Sequence, residues 1–309
     1  MPRHRWWARA LPFGKARRSH ALVMILAIML GEAVPARAGP KSADRTAAVD
    51  TEHLFGFTEG SDIDDAGDKA IETDSTGRFG KATGGYANVP TELEFKYTVT
   101  DNFRISAAPA FAYFDVAGVS GIGDRRQAVV QAMSFDARFR LLDRTRAPFG
   151  LTLSIAPKWG FVDDTSGAPA EQLGTEFLLI ADRELVPGWL FGAFNVSFEP
   201  DWTRLRATGA TERESTLGVA AGLSLQVAPG VFIGGETRYL DRQDGLAPGA
   251  FTGQALYAGP ALYVRLNDRS FLSAAFNAQI RGGGAGLPGA LDFNNFERYQ
   301  AKLRFGVSF

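Results

Sequence analysis

The chain of 309 residues contains no cysteine, and this absence removes two classes of architecture. Without thiols there is no disulfide framework and no thiolate metal site. The absence is also typical of an exported protein, because cysteines mispair in an oxidising compartment.

Histidine is scarce as well, with only His4, His20 and His53 in the chain. A serine hydrolase needs a base beside its serine, and only His53 lies beyond the first 38 residues. An outer-membrane lipid hydrolase is therefore the least favoured function, and we expect no enzyme activity and no cofactor.

Excess positive charge is missing from most of the chain, although the formal net charge is only −1. Seven basic residues and one acidic residue lie in the first 38 positions. The remaining sequence has 26 basic and 33 acidic residues, a net charge of −7. Nucleic-acid binding needs a basic surface, so we expect no nucleic-acid partner.

Long apolar runs are also missing, and the longest, residues 21–30, reads ALVMILAIML. A spanning helix needs about 20 apolar residues, so this run is too short. It follows a basic segment and precedes Ala36-Arg37-Ala38, which is the order of a cleavable signal peptide. The sequence predicts a signal peptide over residues 1–38 and export. An inner-membrane anchor or a misassigned start codon is the alternative.

Glycine and phenylalanine are abundant, with 35 and 24 residues. From about residue 69, segments of ten or more residues alternate apolar with polar side chains, and turn signals separate them. In residues 91–100, for example, Phe95 and Tyr97 fall on one face. Glu94 and Lys96 fall on the other, as in a strand and unlike a helix.

This alternation predicts an all-β protein, a transmembrane antiparallel up-and-down β-barrel of about 12 strands over residues 69–309. An even number of strands returns both ends to the periplasmic side. Residues 39–68 are an N-terminal lead, in which residues 53–61 are an extra strand, a plug or a periplasmic stub. The predicted strands are residues 69–81, 91–100, 103–116, 128–142, 149–162, 173–184, 189–204, 213–227, 231–242, 254–266, 271–281 and 297–309.

A soluble β-sandwich or soluble barrel would show similar alternation, so strand length and connections must decide. Soluble folds usually use strands of about 5–6 residues, whereas a tilted membrane strand needs about 9–11. The predicted connections alternate between short turns and longer loops, which is the asymmetry of an outer-membrane barrel. We therefore expect the protein in the outer membrane, in contact with its lipid.

The last strand, residues 301–309, reads AKLRFGVSF, with apolar residues at alternate positions and an aromatic residue at the end. It resembles the C-terminal assembly signal of outer-membrane proteins. The resemblance implies recognition by the barrel-assembly machinery, with Phe305, Val307 and Phe309 as the signal residues.

Four further segments carry a second resemblance: residues 52–62 (EHLFGFTEGSD), 76–81 (TGRFGK), 91–97 (TELEFKY) and 180–185 (IADREL). They resemble a poorly characterised family of proteobacterial outer-membrane β-barrel proteins. More loosely, the pattern resembles outer-membrane barrels that are described as transporters associated with the degradation of aromatic compounds. That resemblance implies passage of small molecules, hydrophobic ones among them, and supplies no binding residues.

The polar faces of the predicted strands would point into the barrel and carry charges of both signs. One interpretation is a solute pathway with a transverse field, and the other is a lumen closed by cross-strand ion pairs. Barrels of eight strands are filled by side chains and those of sixteen are open, so twelve strands leave both interpretations open. The predicted lumen-lining residues are Glu92, Glu94, Lys96, Arg104, Asp136, Arg138, Arg140, Lys158, Glu199, Asp201, Glu236, Arg238, Lys302 and Arg304.

The acidic residues 62–68 resemble the start of a calcium loop. Ala66 and Thr73 stand at the fifth and twelfth positions, where calcium needs an oxygen ligand and a bidentate glutamate. We therefore expect an acidic periplasmic turn and no metal.

Three functions follow from these observations. The first is a passive outer-membrane channel or transporter for small solutes. The second is a structural or surface-interaction barrel with a sealed lumen, and the third is the barrel-embedded hydrolase. Conductance separates the first two.

Overall fold

The computed structural model describes residues 49–286 and 289–309. The predicted signal peptide over residues 1–38 lies outside these residues. The described chain contains twelve β-strands: β1 (Lys69–Phe79), β2 (Gly85–Thr100), β3 (Phe103–Ala117), β4 (Arg125–Leu142), β5 (Gly150–Val162), β6 (Pro169–Val186), β7 (Leu190–Leu205), β8 (Thr211–Ala228), β9 (Val231–Asp244), β10 (Ala250–Asn267), β11 (Ser270–Gly284) and β12 (Tyr299–Ser308).

The strands form one closed antiparallel barrel in which each pairs with its neighbours in sequence. β1 closes the ring against β12, from Ala70 opposite Ser308 to Phe79 opposite Tyr299. The backbone N–H of Phe309 donates to the carbonyl of Lys69 at 2.9 Å. This architecture confirms the predicted twelve-strand barrel. Among the described residues, no helix is long and apolar enough to cross a membrane.

Several strands extend beyond the predicted limits at the end with the longer connections. β2 begins at Gly85, β6 at Pro169 and β10 at Ala250. Their glycines, prolines and small residues read as turn signals, yet the backbone continues the ladder because an antiparallel neighbour supplies its hydrogen bonds. The connections on that side are therefore shorter than predicted, by only one residue between β11 and β12.

The two faces of the barrel differ as membrane insertion requires. The outer face exposes large apolar side chains, such as Phe95 at 47% and Phe135 at 55%. Trp189, at 65% exposure, lies in the short connection between β6 and β7. In lipid this exposed band is the stable arrangement, and aromatic residues near its margins suit the headgroup region.

Candidate functional site

Residues 49–63, which we call the plug, lie inside one end of the barrel. Their partners include Arg104, Phe232 and Phe271, the second residues of β3, β9 and β11. This is the end where β1 begins and β12 finishes. Short turns are periplasmic in outer-membrane barrels, so the plug occupies the periplasmic end of the lumen.

Glu52 of the plug is the centre of a buried charge cluster. It is 2% exposed and accepts two hydrogen bonds of 2.6 Å from the Arg104 guanidinium. Lys96 and Arg138 donate to the same carboxylate at 3.0 and 3.2 Å. Burial opposes ionisation of Glu52, but Arg104 and Lys96 hold its pKa well below the usual range. One plug carboxylate thus connects β2, β3 and β4.

His53 lies between β1 and β12. Its Nε2 is 3.1 Å from a carboxylate oxygen of Glu72, and Arg304 donates to its Nδ1. The ring stacks on Phe271 with centroids 4.7 Å apart. Burial is the largest influence on the pKa of His53 and lowers it. A neutral ring with the proton on Nε2 satisfies both neighbours.

Glu59 and the adjacent backbone of the plug bind residues of β4, β7 and β9. Arg138 donates to Glu59 at 2.5 Å, and the Glu59 N–H donates to the Asn195 side chain at 2.7 Å. Burial would raise the pKa of Glu59, but Arg138 and Arg304 lower it to about 2. Glu236 of β9 accepts the backbone N–H groups of Phe57 and Thr58 at 3.0 and 2.7 Å.

The apolar side of the plug packs against β7 to β10. Leu54 and Phe55 form a buried cluster with Phe191, Phe232 and Tyr263. In this way the plug reaches every strand of the barrel. In strand order from β1, its partners include Glu72, Lys96, Arg104, Arg138, Thr152, Asp182, Asn195, Gly222, Glu236, Tyr263, Phe271 and Arg304.

One glycine allows the plug to fit closely against the wall, and a second allows the plug to fold on itself. Gly56 has φ +89°, and a Cβ there would stand 2.6 Å from the Cβ of Ala275 and 2.9 Å from Glu236 Oε1. A Cβ on Gly60 would stand 2.2 Å from the carbonyl oxygen of Thr51. Neither position has room for a side chain, and Gly56 also has a backbone conformation that L-residues rarely adopt.

The acidic residues 62–68 include the last two residues of the plug and connect it to β1. The N–H of Gly67 donates to the Thr98 carbonyl at 2.8 Å, and that of Ala66 donates to Asp101 at 3.1 Å. Asp62 pairs with Arg144 at 2.8 Å. No group of histidines and carboxylates in the described residues is arranged to hold a metal ion.

A cavity of about 1270 Å³ lies between the plug and the loop end of the barrel. Phe57 and Glu59 of the plug contribute to its lining. At the other end, residues 163–166 and 293–297 border the cavity. Asp164 binds Lys158 at 2.6 Å, and Glu297 binds Lys81 at 3.0 Å. The mouth is thus narrowed by two loops fixed to the wall.

Charges of both signs line the cavity, and they differ in how they are paired. Lys302 and Arg304 of β12 both bind Asp74 of β1, at 3.0 and 2.6 Å. Half a turn away in a ring of twelve strands, Glu176 of β6 and Glu199 of β7 also line the cavity.

Glu176 lies between Gly174 and Phe177, whose register partners are Asp201 and Phe198. It therefore stands across from Glu199. Like charges in this position repel each other. Within the described residues, neither carboxylate has a cationic side chain within 4.0 Å. The lumen thus contains two neighbouring carboxyl groups that have no cationic partner.

The predicted lumen-lining residues fall into two groups. Eleven of them line the cavity: Glu92, Glu94, Lys96, Asp136, Arg138, Lys158, Glu199, Asp201, Arg238, Lys302 and Arg304. Arg104 and Glu236 bind the plug, and Arg140 donates to the carbonyls of Ile63 and Asp101 at the periplasmic rim.

Sequence reasoning missed the plug residues Glu52 and Glu59. The available signal was the acidic segment EHLFGFTEG with two glycines, which precedes a barrel whose periplasmic wall is rich in arginine and lysine. The predicted assembly-signal residues Phe305, Val307 and Phe309 are exposed on the outer side of the barrel.

The barrel is similar to solved outer-membrane structures. It matches the COG4313 outer membrane channel from Pseudomonas putida F1 with a TM-score of 0.56 and 10% identity, covering 81% of this chain and 98% of that one. The KdgM porin in complex with disordered oligogalacturonate gives 0.46 and 9%, covering 78% and 99%. The NanC porin gives 0.45 and 9%, covering 77% and 98%. At such identities, the first match shows a shared fold.

No curated protein matches the chain. One family model does match it, over residues 47–309, and its description reads "Family of unknown function (DUF6662)". The matched region begins just before the plug, so it includes the plug together with the barrel.

Proposed function

Because this chain belongs to the Family of unknown function (DUF6662), we propose a function from the geometry of its lumen. The protein is a passive outer-membrane channel for small polar solutes, and the plug holds it closed. The carrying observation is the charge-lined cavity of about 1270 Å³ that ends on the plug.

The chemistry of the lumen supports a channel over a structural barrel with a sealed lumen. A structural barrel needs its interior charges paired, because uncompensated charges lower stability. Glu176 and Glu199 lack such pairing, although they line a cavity large enough for water. The plug is held by side-chain contacts and by backbone bonds to Glu236, outside the strand ladder, so its departure leaves the barrel wall intact.

The lining also favours a class of solute. Acidic side chains outnumber basic ones around the cavity, and several of the basic ones are already bound to plug or wall carboxylates. A lumen with excess negative charge raises the local concentration of cations. We therefore expect the open channel to prefer cations and cationic solutes over anions. The polar lining does not favour the hydrophobic molecules implied by the loose resemblance.

Single-channel conductance in a planar bilayer tests the proposal. The proposed mature chain, residues 39–309, is compared with a variant lacking residues 49–61 and with a control lacking residues 39–46, which keeps the plug. We expect rare openings in the mature chain and the control, and steady conductance in the plug deletion.

Heat-modifiable gel mobility establishes that each variant is folded. A folded, inserted plug deletion that stays silent would contradict the channel proposal and support the sealed barrel.

A further inference from the structure

Three arginines lie together at the loop end of β7 and β8. In β7, Asp201, Thr203 and Leu205 line the cavity. Side chains alternate along a strand, so Trp202 and Arg204 face outward. Arg213 is the register partner of Trp202 and stands beside it. Arg206 follows the end of β7, and its N–H donates to Pro169 at 3.0 Å.

These arginines are exposed and lack ion-pair partners. Within the part of the chain that the structure describes, Arg204, Arg206 and Arg213 have no carboxylate oxygen within 4.0 Å. Two acidic residues adjoin the patch: Glu171 is the register partner of Arg204, and Asp244 borders the same depression. The patch therefore has more positive than negative charge.

Another arginine on the same rim shows a different arrangement. Arg126 of β4 donates to the Tyr113 hydroxyl at 3.0 Å and lies 3.9 Å from Asp115. Its guanidinium thus has partners within the protein. Exposure of an arginine at this rim therefore does not by itself indicate a binding site. The three arginines at β7 and β8 differ from Arg126 because they have no ion-pair partner.

The surroundings of the patch match the headgroup region of a lipid. Trp202, Arg204 and Arg213 border a depression of about 650 Å³. On the same outer face, Leu173 is the register partner of Trp202, and Leu217 lies four residues beyond Arg213 along β8; both are exposed. Guanidinium groups above an indole and an apolar band are suited to phosphate groups with acyl chains below them.

We propose that Arg204, Arg206 and Arg213 bind the phosphate groups of a phosphorylated lipid of the outer leaflet. The long-loop end of an outer-membrane barrel faces the cell exterior, so the patch stands at the depth of that leaflet's headgroups. Arginine binds phosphate through paired hydrogen bonds as well as charge. This site does not involve the plug, although Arg213 also borders the outer mouth of the cavity.

The test uses the mature chain in detergent and measures bound lipid by native mass spectrometry. The probes are diphosphoryl lipid A and the same lipid without its phosphates. We expect the wild type to prefer the diphosphoryl form by about tenfold or more. The triple variant R204Q/R206Q/R213Q loses this preference. The control R126Q retains it.

Heat-modifiable mobility checks that the variants are folded. Equal binding of both lipids by the wild type, or unchanged binding by the triple variant, would overturn the site. An equal loss in R126Q would also overturn it, because it would indicate general attraction to a basic rim. Displacement by millimolar inorganic phosphate would overturn the assignment to a lipid.

Discussion

The periplasmic and outer halves of the lumen are built from the same residue types in different ways. In the periplasmic half, Glu52 and Glu59 of the plug each bind cations of the wall at hydrogen-bond distance. In the outer half, Glu176 and Glu199 stand side by side on the neighbouring strands β6 and β7, at the cavity wall and without a cationic partner. The first arrangement holds a segment in place, and the second leaves charge available to solutes.

The difference also sets the size of mutational effects. Removing one partner of a buried pair leaves a charge without compensation, which costs about 3–5 kcal/mol. Removing a charge that faces a water-filled cavity costs far less, because water and salt screen it. Changes in the periplasmic half should therefore alter closure, whereas changes in the outer half should alter selectivity.

The largest effect is expected for Glu52→Gln. This change removes the negative charge that neutralises Arg104, Lys96 and Arg138 when the plug is bound. A loss of about 3 kcal/mol in plug binding corresponds to about a hundredfold rise in open probability, measured from single-channel records. The control is Glu92→Gln, which changes a cavity carboxylate outside the plug contacts. Equal opening in both variants would contradict the division of the lumen.

A smaller rise in open probability, about tenfold, is expected for Gly56→Ala. The added Cβ meets Ala275 and Glu236 and also requires a strained φ, which together cost about 1–3 kcal/mol. Gly67→Ala is the matched control, because Gly67 has φ +95° but nothing within 4 Å of its Cβ position. If the two variants open equally, backbone strain and not the fit of the plug explains the effect.

Acid should open the channel in two steps. Burial depresses the pKa of His53 below 6.5 in the bound plug, so a released plug binds more protons and closure weakens as pH falls below about 6.5. The pKa of Glu59 is lowered from 4.5 to about 2, so binding of the plug weakens further as the pH falls from about 4.5 to about 2. Conductance against pH should show both steps, and His53→Gln should remove the first. A pH-independent open probability would contradict this account.

The smallest effect is expected for the double variant Glu176→Gln/Glu199→Gln. Removing both carboxylates should reduce the cation-to-anion permeability ratio of the plug deletion by a few-fold, measured as a reversal potential in a salt gradient. Open probability of the full mature chain should not change. An altered open probability with unchanged selectivity would contradict the view that the periplasmic half controls closure and the outer half controls selectivity.

The fold could be predicted from the sequence because apolar and polar side chains alternate along each strand of a barrel wall. The run around Phe95 and Lys96 sorts into two faces regardless of what fills the interior. Strand ends were less accurate, since Gly85 and Pro169 are turn-forming residues that a neighbouring strand nevertheless pairs.

The plug could not be predicted in the same way. Its position depends on Glu52 meeting Arg104 and Arg138, residues that are 52 and 86 positions away. No local period encodes such distant pairings. The plug was one of three interpretations of residues 53–61, and its acidic residues gave the only hint of a basic partner.

The contact of one short segment with all twelve strands has a consequence for assembly. A two-residue slip between any pair of strands would keep the alternation of faces but move Lys96, Arg138 or Arg304 by about 6–7 Å along the strand. The segment therefore distinguishes the correct register from those that hydrophobic alternation alone accepts. The charged groups of the plug meet their partners on the wall only when the strands pair in the observed register. Binding of the plug therefore favours the correctly paired barrel over barrels with shifted strands.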